Sequence, residues 1–309
     1  MPQAIQSVVC MVDFSSFGSL VVGHGVALAR RAGVRLYLIH VVHDPQDGLH
    51  PTAVFERGGD LTHLTAAARR RIGALMTHAP VDWEAVVRFG DTVEQTVAFV
   101  NRLPPSPVVS ASHGVSGFRR LFIGTVVERL TRVLNRPMLV VKPTDGEDDH
   151  RANGFRRAVI GCDRHGYWRH LAPLLPLLQP DRASRIHLVH AMERPMDIVV
   201  PDADAKSYGQ VQQALQDRLE NGLCKQARRL FPHVGAPAVW VAPGVPQEMV
   251  MHVAREQNAD MIAVGVHRSG GMGRWISGST TEALLRRSPC SVLTVPEPAG
   301  GKSEGGGTG

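Results

Sequence analysis

The chain is written twice. SVVCMVDFSS at residues 7–16 aligns with RAVIGCDRHG at 157–166, and RLYLIHVV at 35–42 aligns with RIHLVHAM at 185–192, both 150 residues apart. Further along, RFGDTVEQTV (88–97) aligns with VAPGVPQEMV (241–250), which pairs Gly90 with Gly244 at a separation of 154. SHGVSGFRRLFIGTVVERLTRVLNRPMLVV (112–141) aligns with HRSGGMGRWISGSTTEALLRRSPCSVLTV at the same separation, and Gly124 falls on Gly278. A small insertion between residues 42 and 88, or 192 and 241, accounts for the change of register. A tandem duplication fixes the architecture, because each copy must bury its own core and 309 residues hold two ordinary domains. The polar, turn-rich stretch PTDGEDDHRANG joins the copies. The expected domains are therefore 1–143 and 155–296, with a linker at 144–154 and a Gly-rich, disordered tail at 297–309.

Within each copy, short β-branched runs alternate with longer helical patterns. The predicted strands are SVVCMV, RLYLIHVV, DWEAVVRF, PVVSAS and MLVV in the first copy, then RAVIGC, RIHLVHA, AVWVA, MIAVG and SVLTV in the second. They are apolar on both sides, as buried parallel strands are. In the intervening VQQALQDRLENGLCKQARRL, Val211, Leu215, Leu219, Leu223 and Ala227 recur every fourth residue as a helix stripe. Pro173 and Pro176 are expected to shorten or kink the first helix of the second copy. Five strands with helices between them, twice over, predict an α/β protein of two doubly wound, five-stranded parallel sheets.

In such a sheet a ligand sits outside the carboxyl ends of the strands, where the strand order reverses. That point brings together the loops after the first and fourth strands. The first loop carries Asp13 in one copy and Asp163 in the other; the second carries ASHGVSGFRRLFIGT or GVHRSGGMGRWISGS. A carboxylate can accept from a base amino group or a sugar hydroxyl, and a glycine-led helix start offers N–H groups and a positive dipole to phosphate. Thr125 and Ser279 stand where a helix N-cap would, with Arg119, Arg120, Arg268 and Arg274 as nearby cations. Each feature alone has an ordinary role as a turn or cap residue; their convergence at one point in both copies indicates a ligand site.

Other chemistries lack support. The second glycine loop has no lysine before its hydroxyl, so it is not a Walker loop, and no GxGxxG follows the first strand. FSSFGS and RHGYWR supply no pyrophosphate loop for adenylyl transfer. No nucleophile–histidine spacing, paired-carboxylate motif or metal spacing stands out, and no catalytic residue is assigned. Cys10, Cys162, Cys224 and Cys290 form no CxxC, and those in apolar runs read as structural thiols. The histidines, His40 and His190 included, are assigned structural or surface roles. A net charge of +6 without a Lys/Arg run suits small anions rather than nucleic acid. With no basic leader and no apolar run of membrane length, a cytoplasmic location away from membranes is expected.

VVCMVDFSS, LIHVV, LVHAM, NADMIAVGVH and the doubled pattern G-x-x-G-x9-G-[ST] together resemble a tandem universal stress protein, across residues 5–142 and 155–296. The resemblance implies the strand order 3-2-1-4-5 of adenine nucleotide alpha hydrolase-like folds. It also implies a stress-response or signalling role and binding of ATP, with Mg²⁺, in those members that keep the glycines. Slow ATP hydrolysis or self-phosphorylation is the most catalysis it leaves open. Carried over, the first copy has Ala111, Gly114, Gly124 and Thr125 on the motif, with Val126 following. The second has Gly265, Arg268, Gly278 and Ser279, with Thr280 following. Asp13, between Val12 and Phe14, and Asp163 match the adenine- or ribose-side Asp; Val41 and Ala191 match the position whose backbone faces the base. Ala111 adds one methyl, whereas Arg268 puts a long side chain where phosphate would approach, so the first copy is the preferred site. A nucleotide-free interaction module is the alternative function. The resemblance further implies pairing of the two copies through their fifth strands as an internal pseudo-dimer, and leaves a homodimer of whole chains open.

Overall fold

A computed structural model describes residues 5–42, 61–112, 124–142, 154–163, 166–179, 183–192, 205–266 and 279–297. The first copy builds strands β1 (Ser7–Met11), β2 (Arg35–Val42), β3 (Trp83–Phe89), β4 (Val108–Ala111) and β5 (Met138–Val141). Between them run helices α1 (Gly18–Ala32), α2 (Leu61–Leu75), α3 (Thr92–Val100) and α4 (Thr125–Val133). The second copy builds β6 (Arg157–Gly161), β7 (Arg185–Met192), β8 (Ala238–Pro243), β9 (Met261–Val266) and β10 (Ser291–Pro296). Its helices are α5 (Leu175–Leu178), α6 (Ala205–Leu230), α7 (Pro246–Glu256) and α8 (Ser279–Arg287).

The strands lie in one ten-stranded sheet of order β3-β2-β1-β4-β5-β10-β9-β6-β7-β8. Each half keeps the order expected of it, but the two predicted sheets are continuous. β5 pairs antiparallel with β10, Leu139 opposite Leu293, while the other neighbouring strands pair parallel. The merger has a plain physical cause. MLVV and SVLTV are apolar strands whose outer edges would otherwise leave backbone N–H and C=O groups unpaired, and each half supplies the other's missing neighbour.

One hydrophobic layer runs under the whole sheet, joining Leu28 of α1 and Ile72 of α2 to Trp168, Leu175 and Phe231 of the second half. The opposite face carries two separate clusters, one under α3 and α4, the other around α7 and α8. The halves also touch through side chains. His24 stacks on Phe155 at 5.2 Å, and an Arg31 Nη1 donates to the Leu177 carbonyl at 3.0 Å. Glu128 and Arg132 of α4 form a four-membered charge ring with their repeat equivalents Glu282 and Arg286 of α8, at 2.8–3.3 Å.

Two local features depart from the repeat. Where the first half has the fifteen-residue α1, the second has a 3-10 turn, Tyr167–Leu171, followed by the four-residue α5. Pro173 and Pro176 remove amide donors there, as the sequence indicates. The stripe expected along α6 is only partly buried. Leu223 and Ala227 lie in the core, whereas Val211 is 64% and Leu215 50% exposed. A helix of 26 residues spans about 39 Å at 1.5 Å per residue, well beyond the six-residue β8 it covers, and a four-residue repeat drifts off any one face.

Candidate functional site

The loop after β1 is fixed by short contacts. The Val12 amide donates to the Ile39 carbonyl at 2.9 Å, and His40 Nδ1 lies 2.7 Å from the Val12 carbonyl. The second half repeats the latter contact between His190 Nδ1 and the Cys162 carbonyl, also at 2.7 Å. Both histidines therefore brace the end of the neighbouring strand, in keeping with their structural assignment. Phe14 follows with φ of +56°, a conformation a bulky residue adopts only when its surroundings hold it. Its ring lies 4.4 Å from that of His40, and the Arg71 guanidinium of α2 sits 3.9 Å above it. Burial pushes the thiols of Cys10 and Cys162 well up, so neither is a nucleophile.

The two aspartates behave differently. Asp13 Oδ1 accepts from the Ser15 amide at 3.0 Å, and its other oxygen has no partner among the described residues. Both oxygens of Asp163 are engaged: Oδ1 accepts from the Tyr167 amide and Oδ2 from the Trp168 amide, each at 3.2 Å. Asp163 thus anchors the 3-10 turn, a role available only because that turn replaces a full helix.

The fourth-strand side differs too. In the first half Ala111 ends β4, and the Gly124 amide donates to the carbonyl of buried Ser112 at 2.9 Å. This contact brings the α4 N-terminus back beside β4. The register of β1 on β4, carried to the strand ends, sets Asp13 opposite Ser112. Gly124 is the N-cap, extended at φ −60° and ψ 140° with no side-chain cap, so Thr125 is the first helical residue rather than the cap predicted for it. The leading amides of α4 therefore lack intrahelical acceptors. Among the described residues, a methyl on Gly124 would have one neighbour within 4 Å, the Ser112 carbonyl at 3.7 Å. Thr125 is exposed; Val126 and Val41 are half-buried. In the second half a methyl on Gly265 would lie 2.5 Å from Tyr167 C and 2.8 Å from Trp168 N. The 3-10 turn thus lies directly on Gly265, in the crevice predicted for ligand. Tyr167 and His170 of that turn feel the carboxylates of Glu297 and Asp163. Burial first, then those carboxylates, raises the Tyr167 phenol; burial holds the His170 imidazole down against their pull. Thr280 Oγ1 donates to Gln247 Oε1 at 3.4 Å, Ser279 opens α8, and Ala191 is half-buried on β7.

Gly114, Arg268 and Gly278, together with most of the predicted linker and tail, lie outside the described residues. Of the remaining positions, Ala111 and Gly124 are joined through Ser112, Val12 and Phe14 through His40, and Asp163 and Gly265 through the 3-10 turn. Sequence reasoning missed Arg71, for which no motif speaks. It also missed the brace made by His40 and His190, although their shared 150-residue separation was a usable signal. Among the described residues no cluster of His, Cys, Asp or Glu could hold a metal ion, and no helix is long and apolar enough to cross a membrane.

An α/β sheet whose strand order reverses within each half defines the class, and comparison with known proteins supplies the family. The profile of the Universal stress protein family matches residues 4–142 and 174–296, and the chain belongs to that family. A universal stress protein from Thermus aquaticus, encoded in a QAH/OAS sulfhydrylase 3′ region, is 25% identical over 142 residues, 46% of this chain and 98% of that protein. The crystal structure of a universal stress protein from Archaeoglobus fulgidus superposes with a TM-score of 0.63 at 18% identity, covering 94% of this chain and 98% of that one. A functionally unknown protein from Pseudomonas aeruginosa gives 0.65 at 13% identity, with 95% and 93% covered. These structures share the fold of both halves together.

Proposed function

We propose that this stress-response protein is a regulatory module that binds one adenine nucleotide, ATP, in its first half. The observation that carries this is the contrast between the two aspartates: one Asp13 oxygen has no partner among the described residues, whereas both oxygens of Asp163 are engaged by a turn that covers Gly265. In the first half Asp13 would accept from base or ribose, the backbone at Val41 would face the base, and Gly124, Thr125 and Val126 would present amides to phosphate. Gly124, extended and without a side chain to cap α4, supports a phosphate group at that helix start. Any Mg²⁺ would come with the phosphates. The bound nucleotide would supply a signal of cellular energy state, and no residue is given a catalytic role. The engaged Asp163 favours a nucleotide-free, packing role for the second half.

We further read the chain as two domains, 1–143 and 155–296, with a linker and a C-terminal tail. The pairing of β5 with β10 and the charge ring of α4 and α8 support an internal pseudo-dimer. Residence in the cytoplasm fits a nucleotide sensor. Isothermal titration with ATP tests the function. One site per chain is expected, lost in Asp13→Ala and Gly114→Glu and kept in Gly278→Glu. Retention in the first two variants with loss in the third would move the site to the second half. No binding to the native chain would leave the nucleotide-free module.

A further inference from the structure

Only four of the chain's 34 basic residues are lysines: Lys142, Lys206, Lys225 and Lys302. One of them, Lys142, stands at the seam between the halves. It follows the last residue of β5, and the antiparallel register carried two residues further sets it opposite Cys290. Its backbone amide donates to Ser291 Oγ at 3.2 Å, and its Nζ donates to the Ser288 carbonyl at 2.8 Å. The amine thus spans the seam into the second half. Among the described residues it has no carboxylate partner. The repeat shows how the slot arises. At the repeat-related place Pro296, 154 residues on, stands for Lys142 and Arg136, 154 residues back, stands for Cys290, and there a small cleft lies between Leu134, Arg136, Thr294 and Pro296.

An ammonium held away from water favours its neutral form. Burial lowers Lys142 to about 8, with the neighbouring Cys290 pulling weakly the other way. A neutral primary amine is a nucleophile; an ammonium is not. Arginine, chosen at 30 other basic positions, could not play this part.

We propose that Lys142 is a site of covalent acylation by small acyl phosphates or thioesters. Nζ attacks the acyl carbonyl carbon, the C–N bond forms, and the bond from that carbon to the phosphate oxygen or thiol sulfur breaks. Phosphate or thiolate leaves, and the amine proton passes to solvent. The product suits its surroundings: the amide keeps one N–H for the Ser288 carbonyl, and the buried charge is gone.

The test is to treat the full chain with acetyl phosphate between pH 6.5 and 10 and follow each lysine by peptide mass spectrometry. At pH 7.5 the neutral fraction of Lys142 is about two-hundred-fold that of an ordinary lysine, which a weaker base's lower intrinsic reactivity reduces to roughly tenfold in rate. Lys142 is expected to acetylate about tenfold faster than Lys225, with a rate that levels off just above pH 8. A Lys142 rate at or below that of Lys225, or one still climbing at pH 10, would overturn the proposal. Cys290→Ala is expected to leave the Lys142 rate within about twofold; loss of the reaction would make the thiol the first acceptor and overturn direct attack by the amine.

Discussion

Replacing Gly265 by alanine puts the packing of the 3-10 turn to a quantitative test. The added methyl would lie 2.5 Å from Tyr167 C, 2.6 Å from Tyr167 Cβ and 2.8 Å from Trp168 N. Carbon atoms in ordinary contact sit about 3.5–4.0 Å apart, so the turn must retreat by roughly 1 Å. The obstructing atoms are mostly backbone, which cannot swing aside as a side-chain end would. The retreat also drags Trp168, which is 1% exposed, out of its place beside Phe231. Overpacking of this kind costs about 1–3 kcal/mol, and backbone obstruction puts Gly265→Ala near the upper end. In a chain of this size that lowers the thermal midpoint by roughly 3–5 °C. Gly124→Ala is the matched control. With φ at −60° and 3.7 Å to the nearest atom, it should change stability by no more than about 0.5 kcal/mol. Calorimetry gives both midpoints, and near-ultraviolet circular dichroism reports the tryptophan environment. An unchanged midpoint for Gly265→Ala would refute the placement of the turn.

Three further outcomes follow from the described contacts. Burial holds the imidazoles of His187 and His233 below their ordinary 6.5, helped at His187 by Arg157 and Arg185, and both ring nitrogens of His233 are buried without partners. The unfolded chain therefore binds protons first. Their contribution is full above about pH 6.5 and declines as pH falls toward the folded-state values, so the urea midpoint should drop from pH 7.5 to 5.5 and drop less in His233→Phe; a flat profile would contradict this. Asp91 caps α3 by accepting from the Val93 and Glu94 amides at 2.9 Å and is paired with Arg129, so Asp91→Ala should cost about 1–2 kcal/mol in denaturant unfolding. In the partly exposed charge ring, Glu282→Lys should cost about 1 kcal/mol at low salt and less at 1 M; insensitivity to salt would show that the ring contributes nothing.

All ten strands were legible because a strand buried on both faces is an uninterrupted apolar run, and the duplication let each copy check the other. The shortened first helix of the second half was legible from Pro173 and Pro176, since a missing amide donor acts locally. Less local consequences escaped. Nothing in YWRHLAPLLPLLQP says that the start of the shortened segment would lie on Gly265, because that contact joins residues nearly a hundred positions apart. The exposure of Val211 and Leu215 escaped for a similar reason: a stripe states which face is apolar, not how far the partner surface extends. At the site, Asp13 and Asp163 looked equivalent, and only their hydrogen bonds among the described residues separate them, one oxygen engaged in Asp13 and two in Asp163. The N-cap fell one residue early because Gly124, with no side chain, takes the extended conformation as readily as Thr125.

The seam between β5 and β10 has a consequence for how such a chain can evolve. In an assembly of two identical subunits every substitution arrives twice, once on each side of the axis, and must be tolerated in both places. Here the partner is permanently attached, at any concentration, and a substitution arrives once. Lysine on one side of the seam and proline on the other, or an intact α1 on one side and a 3-10 turn on the other, are pairs that strict symmetry forbids. Joining the copies end to end gave each a partner it could not lose, and left each free to become something its twin is not.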